Sequence, residues 1–180
     1  MAMKDFFNPK GVFTTRNLAL MALMVAASTV LGMLETFVDP SQKLYSFAYL
    51  PRAMAALSFG PYAAVAVAFV SDFTGFLTNP SYGYFFGYAV SAMVTDFICA
   101  AFLYKRKITF LRAAAARALV VVLVVFGLNG IWQVFYYGAE AAKYFSLFRL
   151  LRNLIQFPLD VYLMVMMGGH VRKFLSGEWK

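Results

Sequence analysis

The sequence is poor in charged residues, in cysteine and in histidine. Only 13% of its 180 residues are charged, whereas soluble domains average about a quarter. The single cysteine, Cys99, excludes an internal disulfide framework and any metal site made of several cysteines. The single histidine, His170, lies beside Arg172 and Lys173, a setting typical of a membrane interface rather than of catalysis. A soluble class is therefore disfavoured.

The motifs of common enzyme classes are missing as well. The sequence contains no His-Glu zinc-binding spacing, no G-x-S-x-G elbow and no Walker phosphate-binding loop. We expect no cofactor and no metal, and the chain is predicted not to be an enzyme. Without a phosphate-binding loop it cannot hydrolyse ATP in the P-loop manner, so any uphill transport needs energy from a partner or an ion gradient.

Apolar residues dominate what is present. Hydrophobic residues make up 62% of the chain and aromatic residues 18%, and the formal net charge is +8. The basic residues cluster between apolar blocks rather than along one polar face, which indicates membrane topology and not nucleic-acid binding. Residues 1–180 are therefore predicted to form a single all-α transmembrane domain in the lipid bilayer.

Six apolar blocks predict six transmembrane helices, since about 20 apolar residues span a bilayer. The second block is short and is expected to be kinked by Pro51, and Gly60-Pro61 separates it from the third block by a tight turn. The predicted helices cover approximately residues 17–37, 45–59, 61–77, 82–104, 115–138 and 144–169.

The distribution of lysine and arginine predicts the orientation. Six helices place both termini on one side, and that side, with the loop between the fourth and fifth helices, carries eleven basic residues, Arg117 included. The opposite loops carry two, Lys43 and Lys143, and the remaining three lie within predicted helices. Because positive residues favour the cytoplasmic side, both termini are predicted to be cytoplasmic.

The segment Leu44–Gly75 is the most informative part of the chain. It carries Arg52 and Asp72 inside an apolar run that two prolines interrupt. Charged side chains are costly within a membrane and usually mark a functional site that faces the bundle interior. Broken helices in transporters also tend to lie beside the substrate. We therefore expect a ligand site here.

Further polar and aromatic side chains are predicted at the same outer level of the bundle. Aromatic faces stack on flat rings, and arginine binds carboxylates through paired hydrogen bonds. Together these side chains predict an outward-opening pocket for a flat, polar, anionic small molecule. The candidate substrate-binding residues are Phe47, Asp72, Asn129, Trp132, Tyr136, Arg149, Arg152 and Asn153.

Several of these residues also have ordinary structural explanations. Trp132 and Tyr136 fit an interfacial aromatic belt. Asp72 can pair with an arginine of a neighbouring helix, Arg52 or Arg149, without binding a ligand. Two deeper carboxylates are interpreted as structural: Asp96 and Asp160. The prediction of a pocket depends on all of these side chains lying together at the outer level of the bundle.

On the first predicted helix, Ala22 and Ala26 form an A-x-x-x-A motif, a candidate partner interface because small residues allow close helix contact in lipid. With this motif the chain resembles the substrate-binding S components of energy-coupling factor (ECF) vitamin transporters, specifically the folate-type branch. The resemblance covers nearly all of residues 14–173. Its other carriers are FAYLP at 47–51 followed by FGP and Asp72, GYFFG at 83–87, LNGIW at 128–132 with Tyr137-Gly138, and RLLRNLI at 149–155 ending at Pro158. Gln133 and Leu159-Asp160 depart from the folate pattern.

The resemblance implies six membrane helices, capture of a vitamin at the outer face of a prokaryotic cell membrane, and its release inward. It also implies a transmembrane coupling subunit, contacted by the small-residue face of the first helix, and two cytoplasmic ATPase subunits. The loops Val38–Leu44 and Thr78–Ser81 are expected to act as gates. From the GYFFG segment, Tyr84 joins the expected substrate-binding residues.

Folate matches the predicted pocket. Its pterin ring is expected to stack on Trp132 or Tyr136, and its amidine edge to pair with Asp72. Its glutamate carboxylates are expected at cationic side chains: Arg149, Arg152 or Lys143. The alternatives are an S component for another vitamin or precursor, such as pantothenate or a queuosine-type base, a membrane enzyme, and a structural membrane subunit. Tight binding of a small molecule would distinguish an S component from a structural membrane subunit. Catalytic activity of the isolated chain would identify an enzyme.

Overall fold

A computed structural model of the chain describes residues 12–38, 47–78, 84–138 and 152–169. Within these ranges the protein is helical with short connections and contains no strand. The elements are α1 (Thr15–Val38), α2 (Tyr49–Phe59), α3 (Pro61–Thr78), α4 (Phe86–Leu103), α5 (Phe110–Val120), a π-helical stretch (Val121–Leu128), α6 (Asn129–Tyr137) and α7 (residues 152–169).

Four helical stretches are long and apolar enough to cross a membrane: Thr15–Glu35, Pro61–Thr78, Phe86–Leu103 and Phe110–Phe135. The chain is therefore an all-helical membrane protein that crosses the bilayer more than once. The last stretch joins α5, the π-helical stretch and α6. It begins at Phe110, earlier than the predicted start at residue 115, because Thr109 caps the helix and the alanine-rich sequence that follows favours it.

Two close contacts bring the connections at one end of the bundle together. Gly60 has φ +88°, which allows α2 to reverse into α3 at Pro61, and a Cβ at Gly60 would lie 2.9 Å from the Tyr104 ring. At the end of α7, Gly168 lies directly against Ile108. The α2–α3 turn, the α4–α5 connection and the end of α7 therefore share one end, which we call the α4–α5 end.

Pro51 does not kink α2, so that prediction is wrong. Helix α2 begins at Tyr49, which places Pro51 in the first helical turn. The backbone N–H groups of the first turn have no acceptor within the helix, and a proline there removes no helical hydrogen bond. The discontinuity in this part of the chain is the turn at Gly60 instead.

The tightest part of the core is built from small side chains. Alanines on α2 and α3 are completely buried: Ala55, Ala56, Ala63, Ala64 and Ala68. Small side chains let helix backbones approach closely, which is how helices associate in lipid. Larger side chains, Leu103, Val120 and Val161, fill the space between α4, α5 and α7. The close packing of α2, α3 and α4 brings their few charged residues near one another.

Candidate functional site

Arg52 on α2 forms an ion pair with one carboxylate and lies within electrostatic range of a second. Its Nε is 3.6 Å from Oδ2 of Asp96 on α4, and Asp96 is only 1% exposed. Asp72 on α3 is close enough to Arg52 for their charges to interact, yet no ion pair to Asp72 forms among the described residues. The ion pair with Arg52 considered for Asp72 is thus formed by Asp96 instead, while Arg149, the other arginine considered, lies outside the described residues.

Tyr84 lies beside Asp72 at the end of the bundle opposite the α4–α5 end. Burial and the neighbouring carboxylate of Asp72 raise the pKa of the Tyr84 phenol above its ordinary value. The Tyr84 ring packs against two rings of α3, with centroids 5.7 Å from Phe73 and 5.2 Å from Phe76. An aromatic side chain and an ionisable side chain therefore share one side of the site.

Trp132 on α6 is fixed against α4. Its Nε1–H donates a hydrogen bond to Ser91 Oγ at 3.1 Å, and Phe85 meets the indole edge-to-face at 5.5 Å between centroids. Gly87 provides the space, because a Cβ there would lie 2.9 Å from the indole. Trp132 thus packs inside the bundle rather than forming only a belt at the interface. Tyr84 and Phe85, adjacent in the chain before α4, thus contact different helices: Tyr84 packs on α3 and Phe85 packs on Trp132 of α6.

Asn129 precedes Trp132 by one helical turn and carries an unsatisfied group. Its Oδ1 is buried and accepts no hydrogen bond from any residue that the structure describes. Leaving a buried acceptor unpaired costs roughly 1–3 kcal/mol, so such a group is expected to meet a ligand or a water molecule. Asn129 follows directly on the π-helical stretch, where its N–H bonds to the carbonyl of Val124, and such stretches often occur at functional sites.

A second buried polar network lies around Arg117 on α5. Its Nη2 is 2.7 Å from Oδ2 of Asp160 on α7, and the two side chains are 13% and 1% exposed. The same nitrogen donates to Asn153 Oδ1 at 3.3 Å, and the guanidinium lies 5.8 Å from the centre of the Tyr49 ring. This network joins α2, α5 and α7. It engages Asn153, which the sequence had assigned to the substrate.

The structure therefore brings some predicted site residues together and places others elsewhere. Asp72 and Tyr84 lie beside each other, whereas Trp132 and Asn129 share α6 and Trp132 packs on Phe85 and Ser91. The other described candidates lie at the starts of helices, where Phe47 is 39% exposed before α2 and Arg152 opens α7. Outside the described residues lie Arg149, the side chain of Tyr136 and most of the two expected gates, Val38–Leu44 and Thr78–Ser81.

Sequence reasoning missed the roles of Arg117, Ser91 and Phe85. Arg117 counts among the basic residues of a predicted loop. It nevertheless falls inside the predicted fifth helix, and Asp160 falls inside the predicted sixth helix. Opposite charges in consecutive predicted helices were the available signal for this pair. Ser91 and Phe85 gave no comparable signal, because their contacts with Trp132 depend on how α4 and α6 pack.

Glu35 fixes the position of Phe47. The Glu35 Oε1 accepts the backbone N–H groups of Phe47 and Ala48, the latter at 2.8 Å, and Ser28 Oγ donates to the Ala48 carbonyl at 2.7 Å. These bonds attach the start of α2 to α1. They also satisfy donors at a helix N-terminus, where a carboxylate is favourable.

We expect Glu35→Ala to lower the free energy of unfolding by about 1 kcal/mol, the usual cost of losing an N-terminal cap. Thermal unfolding in detergent measures the loss. Leu34→Ala, at the neighbouring and 53% exposed position of the same helix, is the matched control and should change the unfolding temperature less. Equal unfolding temperatures for Glu35→Ala and the unmodified protein would contradict this role.

The chain is similar to known proteins in both sequence and fold. A family model described as ECF transporter, substrate-specific component, matches residues 16–168. The chain is 32% identical over 139 residues to the folate transporter FolT of Clostridium novyi (strain NT), covering 77% of this chain and 80% of that protein. It is 31% identical over 153 residues to the folate transporter FolT of Leuconostoc mesenteroides, covering 82% and 81%. A crystal structure of FolT bound with folic acid matches with a TM-score of 0.77 at 29% identity, covering 87% of this chain and 95% of that one.

Proposed function

The chain belongs to the family of ECF transporter substrate-specific components, and from that membership we propose that it captures folate at the outer face of the membrane for import. It is thus a transporter component and not an enzyme. The observation that carries the choice of folate is the similarity to a FolT bound with folic acid, which covers 87% of this chain. The curated relatives named as folate transporters support the same choice.

The described site has the chemistry that a pterin needs. A pterin is a flat ring whose amidine edge presents adjacent N–H donors, and the Asp72 carboxylate accepts both in a paired arrangement. The aromatic rings of Tyr84 and Trp132 suit the face of a pterin ring. Asn129 Oδ1, buried without a partner among the described residues, offers a further acceptor. We expect the carboxylates of the folate glutamate to bind Arg152 and Arg149.

Tryptophan fluorescence tests this proposal, because the sequence has only two tryptophans, Trp132 and Trp179. Folic acid is expected to quench the emission of purified protein saturably as the pterin approaches Trp132. Trp132→Phe is the matched control and should remove most of the quenching, since only Trp179 remains. Quenching that persists unchanged in Trp132→Phe, or its absence from the unmodified protein, would contradict the placement of the ring.

Transport is proposed to need partner subunits, since the sequence has no Walker motif. We place six helices in the prokaryotic cell membrane, with both termini cytoplasmic, beside a transmembrane coupling subunit and two cytoplasmic ATPase subunits. Helix α1 offers the contact surface. Ala22 and Ala26 are both exposed. Only 11% of the most apolar stretch of α1 is buried. Small side chains on an uncovered helix face permit close approach of another helix.

Ala22→Leu with Ala26→Leu is expected to reduce folate uptake by cells about tenfold while leaving folate binding by the purified protein unchanged. Bulky side chains hold the two helices apart, and packing is the main force between helices in lipid. Leu23→Phe, on an adjacent face of α1 and 64% exposed, is the control that adds bulk without touching the motif. Parallel loss of binding and uptake would argue against a partner interface here.

A further inference from the structure

The connection between α4 and α5 presents a basic surface. Four cationic side chains of this connection and the first turn of α5 are exposed: Lys105, Arg106, Lys107 and Arg112. Between residues 84 and 138 the sequence has one acidic residue, Asp96, which is buried and paired with Arg52. Lys105, Lys107 and Arg112 form no ion pair with a carboxylate in the part of the chain that the structure describes. We call residues 105–112 the basic connector.

The basic connector also carries exposed apolar side chains. Phe110 is 62% exposed and Leu111 is 79% exposed, and both lie in the first turn of α5 directly before Arg112. The sequence therefore places a cluster of cations immediately beside two apolar side chains, at the point where an apolar helix begins. Such a combination matches the boundary between lipid headgroups and acyl chains.

The basic connector is held in a defined shape. The Tyr104 ring is buried against Gly60, and Lys105 directly after it has φ 52°, a left-handed conformation that few side chains adopt. Thr109 Oγ1 accepts the N–H of Arg112 at 3.4 Å, and Arg112 Nη1 donates to the Lys107 carbonyl at 3.3 Å. These contacts order the backbone of the basic connector and the Arg112 side chain, and the Lys105 ammonium lies 5.2 Å from the centre of the Tyr104 ring.

We propose that the basic connector binds the headgroups of anionic phospholipids. The phosphate and its negative headgroup meet the cations, and the acyl chains of the same molecule meet Phe110 and Leu111. An acidic protein surface would satisfy the cations but would leave these two apolar side chains without a matching partner. Clusters of basic residues next to a membrane-spanning helix attract anionic lipids in this way. The proposal is independent of what the protein transports.

Native mass spectrometry of the full-length protein released from detergent tests the proposal. Phosphatidylglycerol and phosphatidylcholine are added in parallel, and the bound lipid is counted at each concentration. Phosphatidylglycerol is expected to be retained at lower concentration, with a preference that falls as the salt concentration rises. The triple variant K105Q/R106Q/K107Q should weaken its retention roughly fivefold for each cation removed.

Two further variants keep the test decisive if the triple variant folds poorly. Lys105→Arg with Lys107→Arg preserves the charges and should retain phosphatidylglycerol as the unmodified protein does. Phe110→Ser with Leu111→Ser preserves the cations and should weaken retention by removing the acyl-chain contact. Equal retention of the two lipids by the unmodified protein, or unchanged retention in the neutral variant, would overturn the proposal. Loss of coupling-subunit binding without any change in lipid retention would assign the surface to a protein instead.

Discussion

Asp72→Asn is expected to weaken folic acid binding on the order of 10- to 100-fold, as removal of a charged hydrogen-bonding partner usually does. The reason lies in how the carboxylates of the bundle are paired. Asp96 is held by Arg52 and Asp160 by Arg117, whereas Asp72 forms no ion pair with any described residue. The asparagine keeps the size of the side chain but loses its charge and one of its two acceptors. Equilibrium binding to purified protein measures the effect.

The ligand itself provides a second test of the role of Asp72. Pteroic acid has the pterin ring but lacks the glutamate of folic acid. If Asp72 binds the pterin edge, Asp72→Asn should weaken both ligands by the same factor. Val70→Ala on the same helix is the matched control, because Val70 is an apolar side chain and is 44% exposed. Unchanged affinity of Asp72→Asn for both ligands would remove Asp72 from the site.

Breaking the Arg117–Asp160 pair is expected to lower the free energy of unfolding by about 3–5 kcal/mol, because either single change leaves a buried, uncompensated charge. The atoms are 2.7 Å apart, and Asp160 is 1% exposed. Arg117→Leu and Asp160→Leu should each destabilise strongly. The double variant should recover much of the loss, since replacing a whole buried pair with apolar side chains is often nearly neutral.

Chemical unfolding in detergent, analysed as a double-mutant cycle, measures this coupling. Arg112→Leu is the control, because Arg112 lies on the same helix but is exposed. Additive effects of the two single changes would contradict a direct interaction between Arg117 and Asp160. Binding of pteroic acid, which lacks the glutamate, should survive in whatever fraction remains folded, because the pair lies on α5 and α7 and not beside Asp72.

The family and the helical architecture could be predicted from the sequence because they depend on local composition. The length of an apolar run predicts whether a helix can cross the membrane. The Gly60-Pro61 pair and the polar connections predict where such helices end. The order of the short motifs around Asp72 and Asn129 then identified a family, and the family model matches residues 16–168. The folate branch follows from the same motifs and agrees with the named relatives.

The pairing of the buried charges could not be predicted, because it depends on the packing of helices distant in sequence. Arg52 had two carboxylates within reach, and only the arrangement of α2, α3 and α4 decides that Asp96 is the ion-pair partner. Arg117 was counted as a loop cation because it lies close to the start of a predicted helix. The structure extends that helix to Phe110 and places Arg117 on Asp160 inside the bundle.

The kink expected at Pro51 was wrong for a related reason. The effect of a proline depends on its position in the helix, and the predicted helix began at residue 45 instead of Tyr49. Counting from Tyr49 moves the proline into the first turn, where it is well tolerated. The start of α2 is set by Glu35 on α1, a contact across two helices that no local pattern reveals.

We propose above all that this substrate-specific component binds folate through Asp72, Tyr84 and Trp132. Equilibrium dialysis of the purified full-length protein against labelled folic acid tests it most directly. Saturable binding of about one folic acid per chain is predicted, displaced by pteroic acid and weakened in Asp72→Asn. Saturable binding of a different vitamin under the same conditions, with none of folic acid, would contradict it.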